Sequence, residues 1–575
     1  MNRPLPIALL TALVAATVLV SPWQRDLYIG DETRYGQVVH EMRSGGSLLV
    51  PHLGGKPYSH KPPLHFWSIL ALTSVFGEGS IWPFVVPSIV AFIALLFIVR
   101  ILAARLVNAR ARAVAPFIFA TFYLSWGLAQ TARMDLQFVA LISVAVLCIH
   151  RHLTGDGIKD LVLAGVATGF AILIKGPMAL VIVLALLLFE RIRRGPLRRG
   201  PYIVGFVIAA FIPLLWLVPA VLTGGGGYGR ELLVEQNVGR AFDSWTHGEP
   251  PWFYLIHAPG TFFPWFVLFV VAVFALYRAN RTQDTGHRRQ ELPQARASHI
   301  PGVEGSSLLS PVSRVLPARA LPPDEELAAA ADPKFCVSWF LAVLIPFTLI
   351  SGKLDVYMLP ACVPMALIVS GFVTSGVGGV WEKRGVTANV VMLGALALLG
   401  SALLAAIPHV PRTAQELRLL DDPRVFWLFV VMVIAAFIGL LATYAKRSGR
   451  LLRSSIALGI AALTPMVYIM FTLVPALNSI GSTEPLVRAL ARLPQEGEEI
   501  ALFKAPYLWS RSMPESLNGV RYLGEESLDE AWTKPPEVIA VQRDRAHLLE
   551  ARLQDYIRID RVRIKSRDFD VYRRR

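Results

Sequence analysis

The sequence predicts an α-helical integral membrane protein with about thirteen transmembrane helices, followed by a small α/β domain outside the membrane. Hydrophobic residues make up 54% of the 575 residues and charged residues only 17%, whereas soluble domains carry about 25% charge. Apolar runs of the length needed to cross a bilayer, roughly 20 residues, succeed one another up to residue 475. Beyond that point the apolar runs end and shorter patterns typical of strands and helices begin.

Thirteen apolar segments are predicted to cross the membrane, and one shorter segment is not. The short segment, 64–77, is expected to lie in the membrane interface as a helix of the first outer loop. The predicted spans are 5–22, 82–104, 113–130, 136–153, 160–174, 177–190, 201–222, 259–278, 335–351, 356–375, 387–407, 424–444 and 455–474.

The distribution of Lys and Arg sets the orientation of these spans. If the N-terminus is cytoplasmic, every basic cluster also falls on the cytoplasmic side, as the positive-inside rule requires. A further span at 64–77 would move the clusters to the outside. Membrane topology therefore accounts for the net charge of +15, and no nucleic-acid partner is expected. The clusters lie at 100–112, 151–159, 191–199, 382–384, 446–453 and from Arg278 onward.

Two domains are predicted. Residues 1–475 form the transmembrane domain, with a first outer loop at 23–81 and a disordered cytoplasmic insert at 279–333 that is rich in Arg, Pro, Ser and Ala. Residues 476–575 form the outer α/β domain. Its predicted strands are "EIALFK", "VIAVQR" and "VRIKSRDFDVYRR", and its predicted helices are "STEPLVRALARL" and "DRAHLLEARLQDY".

The outer side of this topology collects polar residues that orientation does not explain. The stretch "YIGDETRYGQ" (28–37) follows the first span and contains Asp31, Glu32 and Arg34. One explanation for the two acids is that they cap a helix beginning near Thr33, because a carboxylate at a helix N-terminus is favourable. The stretch "TARMDLQF" (131–138) places a further acid, Asp135, at the start of a span, beside Arg133.

Lys175 is the most informative of these residues, because "ILIKGPMAL" places it inside almost thirty residues of apolar chain. An unpaired ammonium in that setting is costly, so a carboxylate partner is expected. The acids available on the same side are Asp31, Glu32 and Asp135. A structural salt bridge or a side chain that extends to the membrane surface would explain Lys175 equally well.

Cations on the outer side indicate a site for a lipid phosphate. Lys61 in "SHKPPLHFW", Arg240 in the loop 231–254 and Lys353 in "SGKLDVYMLP" are the predicted phosphate ligands. The nearby carboxylates would then serve as a general base, and the phosphate would leave with its charge held by the cations.

The order of the motifs "YIGDETRYGQVVHEM", "HLGGKPYSHKPPLHFW", "ARMD", "IKGP", "GEPPWFY" and "SGKLDVYMLP" resembles the bacterial 4-amino-4-deoxy-L-arabinose transferase (ArnT-like) group. These enzymes belong to the protein-O-mannosyltransferase-like glycosyltransferases, and the resemblance covers about residues 5–375. It implies a GT-C-type fold in the inner membrane with a periplasmic active site. It also implies transfer of a monosaccharide, with inversion, from polyprenyl (undecaprenyl) phosphate to lipid A, an envelope glycan or a protein.

The resemblance also implies catalytic roles for four residues. Asp31 matches the family's candidate acid/base, and Lys175 matches the lysine that pairs with it. Arg34 and Asp135 match a second ion pair.

Donor binding is assigned by the same resemblance, whereas the metal-binding position departs from it. Lys61 matches the lysine that binds the carrier phosphate, and Arg240 and Tyr357 match further phosphate contacts. The family often has Glu, which can help to bind a divalent metal, at the position where this chain has His60. Together with His247, this residue offers two imidazoles, which suit a divalent metal such as zinc.

A membrane transporter or flippase is the alternative function. Transporters often show internal repeats and place polar sites near mid-membrane. Here the charges are predicted to gather on one side, and no repeat is visible in the sequence.

Overall fold

Helices form most of the chain that the computed structural model describes, which is residues 5–575 apart from 29, 78, 156, 198, 240–247, 279–331, 377–378, 407–408, 410–421, 446–448, 494–498, 510–516, 518–519, 525–527 and 565–566. The predicted insert at 279–333 therefore lies almost entirely outside the described residues. Most hydrophobic helices of the first 473 residues share one large apolar core, and a smaller apolar cluster surrounds Leu173 and Trp216.

The helices of this membrane region alternate with short turns. In chain order they are α1 Leu5–Val20, α2 Asp31–Arg43, α3 Leu64–Phe76, α4 Trp82–Leu106, α5 Ala111–Ala120, α6 Tyr123–Leu128, α7 Asp135–Gly155, α8 Ile158–Lys175, α9 Met178–Arg194, α10 Arg199–Arg230, α11 Phe253–Thr261, α12 Phe266–Arg278, α13 Pro333–Leu349, α14 Leu359–Thr374, α15 Val380–Ala406, α16 Pro423–Tyr444 and α17 Arg450–Tyr468. A hairpin of two short strands, β1 His52–Leu53 and β2 Lys56–Pro57, lies between α2 and α3.

Each predicted span overlaps one of these helices or a broken pair of them. Within the described residues, seven helical segments are long and apolar enough to cross a membrane, or eight if α11 and α12 form one span bent by 109°. The chain is therefore an integral membrane protein, and the count of thirteen spans stays a prediction. Helix α3 has 13 residues and is about 20 Å long, too short for a hydrocarbon layer of about 30 Å.

Glycines allow α8 and α10 to pack closely. A Cβ atom built on Gly165 of α8 would lie under 3.0 Å from the carbonyl oxygen of Gly205 of α10, a distance that real Cβ atoms essentially never show. Small residues at such crossings bring backbones together, and in a membrane this packing replaces the hydrophobic driving force between helices. Lys175, at the last position of α8, is therefore carried by a tightly packed helix.

The C-terminal domain is an α/β unit, as predicted. It contains α18 Val474–Gly481, α19 Glu484–Ala491, β3 Ile500–Phe503, β4 Arg521–Leu523, α20 Leu528–Ala531, β5 Val538–Gln542, β6 Tyr556–Ile564 and β7 Arg567–Arg574. The sheet order is β4-β3-β5-β7-β6, in which β3 is parallel to both β4 and β5, while β7 is antiparallel to β5 and to β6. Strands β3 and β5 are buried on both faces, which explains their continuous apolar sequences.

Three details of this domain differ from the sequence prediction. The segment "VRIKSRDFDVYRR", predicted as one strand, contains the end of β6 and the whole of β7, which pair antiparallel. The helix predicted at "DRAHLLEARLQDY" is only a 3-10 helix, Arg543–Leu549, and turns follow it. Strand β4 was not predicted. It has only 3 residues, and its extended conformation is stabilised by pairing with β3 and not by its local sequence.

The packing of α8 on α10 predicts that Gly→Ala is destabilising at this helix crossing, but not at a helix position that contacts nothing. Gly165→Ala should lower the free energy of unfolding by about 1–3 kcal/mol, because the added methyl group overlaps the backbone of α10. Gly394 of α15 has no atom within 4 Å of the corresponding position, so Gly394→Ala should be neutral or slightly stabilising. Thermal unfolding of the purified variants in detergent measures both effects, and equal melting temperatures would contradict the close helix crossing.

Candidate active site

Helix α2 carries the first polar motif, and its start differs from the predicted capped helix. The helix begins at Asp31, and the N-cap position is Gly30, which has φ 129° and makes no side-chain capping bond. Glycine adopts this backbone conformation without the strain that a side chain would add. Asp31 and Glu32 therefore lie in the first turn, where the helix dipole favours carboxylates. The interpretation of either acid as a helix cap is wrong.

Five charged side chains form a continuous series that we call the charge chain: Arg34, Asp31, Arg133, Asp135 and Lys175. Asp31 is 3.3 Å from Arg34 and 3.0 Å from Arg133. Arg133 also lies 3.0 Å from Asp135, which in turn pairs with Lys175. All four residues that the family resemblance singled out for catalysis are therefore brought together, with Arg133 as the bridge between the two acids.

The charge chain runs from a buried end to an accessible end. The side chain of Asp135 is 3% exposed and that of Lys175 is 13% exposed. At the other end, Asp31 is 31% exposed and Arg34 is 37% exposed. Of the two acids, Asp31 is therefore the one that a reactant can approach.

The ion pairs differ from those that the resemblance implied. Lys175 pairs with Asp135 instead of Asp31, and Arg34 pairs with Asp31 instead of Asp135. The reason lies in the connection between two helices. Asp135 is the first residue of α7 and Lys175 is the last residue of α8, and only two residues separate the end of α7 from the start of α8. The two side chains consequently meet at the same end of one antiparallel pair.

Neighbouring groups hold the exposed cations in their charged form. Burial alone would lower the pKa of Arg34, but Tyr58 and Asp31 outweigh it, so that the pKa is raised. Burial likewise opposes ionisation of Arg133, whereas Asp135 and Asp31 together raise its pKa above the ordinary range. Both guanidinium groups therefore stay available to orient the Asp31 carboxylate.

A second buried ion pair lies next to the charge chain and was not predicted. Glu32 pairs with Arg25, and both side chains are less than 10% exposed. The Glu32 carboxylate also accepts hydrogen bonds from the backbone N–H groups of Tyr28, at 2.9 Å, and Ala132, at 2.6 Å. Arg25 donates to the carbonyl of Gln130 at 2.5 Å. These bonds fasten the start of α2 to the turn that carries Arg133. The sequence signal for this ion pair is weak: Arg25 precedes Glu32 by seven residues.

The predicted phosphate ligands have different outcomes. The ammonium nitrogen of Lys175 lies 5.0 Å from the centre of the Tyr357 ring, so Tyr357 is adjacent to the charge chain. Lys61 lies three residues before α3 and is half-buried. The start of α3 packs on α2, since the rings of Tyr35 and Phe66 are 5.5 Å apart. Lys61 is therefore at the same end of the helix bundle as the charge chain.

Lys353 does not fit the predicted role. Its side chain is buried, with 2% exposed, and its ammonium group donates to the carbonyl oxygens of Ile350, Glu249 and Ser351 at 2.5, 2.8 and 3.5 Å. These bonds tie two loop segments together, and the adjacent bridge between Gly248 and Gly352 has the same effect. The prediction that Lys353 binds phosphate is therefore corrected, because backbone carbonyls already occupy its donors. Arg240 lies outside the described residues.

The predicted metal site has one described member, His60, whose ring lies 5.0 Å from that of Tyr58. The described part of the chain contains no group of three His, Cys, Asp or Glu side chains that could hold a metal ion. His247 lies outside the described residues. Zinc binding by His60 and His247 therefore stays a prediction, and the charge chain does not depend on it.

One protein-family model matches part of the membrane region. Residues 60–217 match the family described as "Dolichyl-phosphate-mannose-protein mannosyltransferase". This match includes Lys61 and the part of the charge chain that α7 and α8 carry.

Curated relatives extend the similarity over more of the chain. An undecaprenyl phosphate-alpha-4-amino-4-deoxy-L-arabinose arabinosyl transferase of Serratia proteamaculans (strain 568) is 25% identical over 456 residues, which cover 75% of this chain and 70% of the relative. A relative with the corresponding name from Pseudomonas fluorescens (strain Pf0-1) is 27% identical over 354 residues. That alignment covers 60% of this chain but spans only about half, 53%, of the relative's length.

Solved structures show the fold over almost the whole chain. The crystal structure of ArnT from Cupriavidus metallidurans bound to undecaprenyl phosphate superimposes with a TM-score of 0.70 at 16% identity, over 98% of this chain and 97% of that one. The apo structure of the same protein gives a TM-score of 0.69. This chain therefore has the fold of the ArnT structures, and its sequence is similar to those of the arabinosyl transferases.

Proposed function

We propose that the protein is a membrane glycosyltransferase that moves a monosaccharide from a polyprenyl phosphate, such as undecaprenyl phosphate, to an acceptor on the periplasmic face of the bacterial inner membrane. The observation that carries this proposal is the charge chain, in which one partly exposed carboxylate, Asp31, is held between Arg34 and Arg133. The names of the relatives, which refer to arabinosyl transfer and undecaprenyl phosphate, support the donor class.

The reaction needs a base, a leaving group and a means of holding the leaving group's charge. Asp31 takes the proton of the acceptor hydroxyl as the hydroxyl oxygen attacks the anomeric carbon. The bond from that carbon to the phosphate oxygen breaks, and the polyprenyl phosphate leaves with the electron pair. Attack opposite to the leaving group inverts the anomeric centre.

The phosphate is assigned to Lys61, with Tyr357 and Arg240 as further contacts. An ammonium group close to the departing oxygen stabilises the negative charge that develops there. The acceptor is lipid A, an envelope glycan or a protein side chain. A transporter is the second candidate, and the position of the charge chain at the helix ends, instead of mid-membrane, disfavours it.

Replacement of Asp31 tests the proposed base. Asp31→Asn should reduce transfer about 100-fold or more, because the amide cannot accept the proton of the acceptor hydroxyl. The measurement is transfer of labelled sugar from a polyprenyl phosphosugar, with mass spectrometry of lipid A and envelope glycans. Transfer at the wild-type rate, at equal membrane levels, would exclude Asp31 as the base.

A matched pair of Lys variants tests the donor site. Lys61→Met should raise the KM for the donor about tenfold or more, because a charge-assisted contact to phosphate is lost. Lys56→Met removes the same charge from an exposed position of the hairpin and should leave the KM within twofold. Titration with undecaprenyl phosphate gives the corresponding binding constants. Equal effects of the two substitutions would argue against a phosphate contact at Lys61.

The buried pair Asp135–Lys175 should separate stability from catalysis. Lys175→Met leaves Asp135 without its closest partner and should cost about 3–5 kcal/mol of folding free energy. The double variant Asp135→Asn/Lys175→Met removes both charges and should recover most of the stability. It should stay slow in transfer, since Arg133 loses its anchor. Melting temperatures report stability and transfer rates report catalysis. If the double variant recovered both, the ion pair would have only a structural role.

A further inference from the structure

A loop of the C-terminal domain is packed against the elements that carry the proposed catalytic and donor-binding residues. This docking loop, residues 504–509, follows β3 at the carboxyl end of the parallel strands. That edge, next to the point where strand order reverses, is where open α/β sheets usually bind ligands. In this protein the docking loop contacts the first outer loop instead.

Trp509 of the docking loop packs on the middle of α2. Its side chain is 6% exposed and belongs to the core of the membrane region. A Cβ atom built on Gly36 of α2 would lie 3.5 Å from the Trp509 ring, and the Phe84 ring is 5.9 Å away from it in an edge-to-face arrangement. Thr483 exchanges hydrogen bonds with the Trp509 backbone at 2.7 and 2.8 Å. Gly36, five residues after Asp31 and two after Arg34, thus leaves room for the indole and for Leu27.

Tyr507 and Tyr522 of the same domain pack on the hairpin that precedes Lys61. A Cβ atom built on Gly54 would lie 3.4 Å from Tyr522 and 3.7 Å from the Tyr507 hydroxyl. The two tyrosine rings are 4.6 Å apart. The hairpin is also tied to α2, because Glu41 accepts hydrogen bonds from the N–H groups of Gly54, at 2.7 Å, and Gly55, at 3.1 Å.

The remaining contacts fasten the segment before α2. Tyr28 forms a β-bridge with Ser482. Asn478 accepts a hydrogen bond from the N–H of Asp26 at 3.1 Å and donates to the carbonyl of Gln24 at 3.0 Å. The C-terminal domain therefore holds the first outer loop on both sides of Asp31.

We propose that the C-terminal domain is a positioning element for the transfer reaction, which sets Asp31 and Arg34 through the contact of Trp509 with α2, and Lys61 through the contact of Tyr507 and Tyr522 with the hairpin. This inference rests on the proposed function of the same site. A domain that merely stabilised the fold would change how much enzyme is folded, whereas a positioning domain changes the kinetic constants of the folded enzyme.

Two glycines of the hairpin provide a matched test. Gly54 and Gly55 both have positive φ, 64° and 75°, so a side chain at either position adds similar backbone strain. Only Gly54 faces the docking loop, since nothing lies within 4 Å of the Gly55 position. Gly54→Leu should raise the donor KM and weaken undecaprenyl phosphate binding about tenfold or more, because the segment leading to Lys61 is displaced. Gly55→Leu should leave both values within twofold.

The second matched pair is at Gly36. Alanine fits there at ordinary contact distance, so Gly36→Ala should leave turnover within twofold of wild type. Gly36→Leu overlaps Trp509, and also Leu27 and Phe84. It should lower kcat about tenfold to 100-fold, with little change in donor KM, because α2 carries Asp31 and Arg34. Kinetic constants are expressed per folded molecule, which is counted by size-exclusion chromatography in detergent.

Hydrogen exchange of 31–43 and 52–61 reports docking independently of activity. Faster exchange in Gly54→Leu and Gly36→Leu, together with the expected split between KM and kcat, would support the proposal. Faster exchange with unchanged kinetic constants, or unchanged exchange, would overturn it. If the wild-type protein neither bound undecaprenyl phosphate nor transferred sugar, the proposed function would fail and the positioning role with it. The exchange data would then still show whether the docking contacts exist.

Discussion

The ion pair between Asp135 and Lys175 is the interaction on which the charge chain depends. Both side chains lie at the ends of apolar helices, where an unpaired charge is strongly disfavoured. Their pairing neutralises the buried end of the charge chain. Because Asp135 also contacts Arg133, this buried pair fixes the position of Arg133 and, through it, of the more exposed charges.

Arg133 connects the buried ion pair to α2 through its contact with Asp31. Its guanidinium group contacts both acids, so the position of Asp31 relative to the membrane helices is set by a short polar turn. The buried pair Arg25–Glu32 fastens the same turn to the start of α2 through backbone hydrogen bonds. The two acids that follow one another in the sequence therefore have different tasks, since Asp31 faces the accessible side and Glu32 holds the framework.

The first outer loop depends on support from both of its sides. The membrane helices supply Asp135 and Lys175 beneath it, and the C-terminal domain supplies Trp509, Tyr507 and Tyr522 against it. In the proposed function this loop brings a base, Asp31, and a phosphate ligand, Lys61, to one reacting centre, and such support would hold both in place. Small displacements of reacting groups reduce rates strongly. The small size of Gly36 and Gly54 is what permits the second set of contacts.

The sequence by itself determined the helical membrane class, the α/β character of the C-terminal domain and the membership of Asp31, Arg34, Asp135 and Lys175 in one site. The length of the hydrophobic runs and the charge distribution predict the membrane class, and the order of the motifs predicts the site residues. Which acid pairs with Lys175 was decided only by the tertiary structure, because the antiparallel packing of α7 on α8 brings together residues that are distant in the chain.

The role of Lys353 was likewise invisible in the sequence, since its partners are backbone carbonyls that no residue type reveals. The bridge formed by Arg133 and the docking of Trp509 against Gly36 also required the tertiary structure. The physical reason is the same in each case. Burial and apolar patterning are properties of a segment, whereas the choice of partner for a charge or a ring depends on which segments fold against one another.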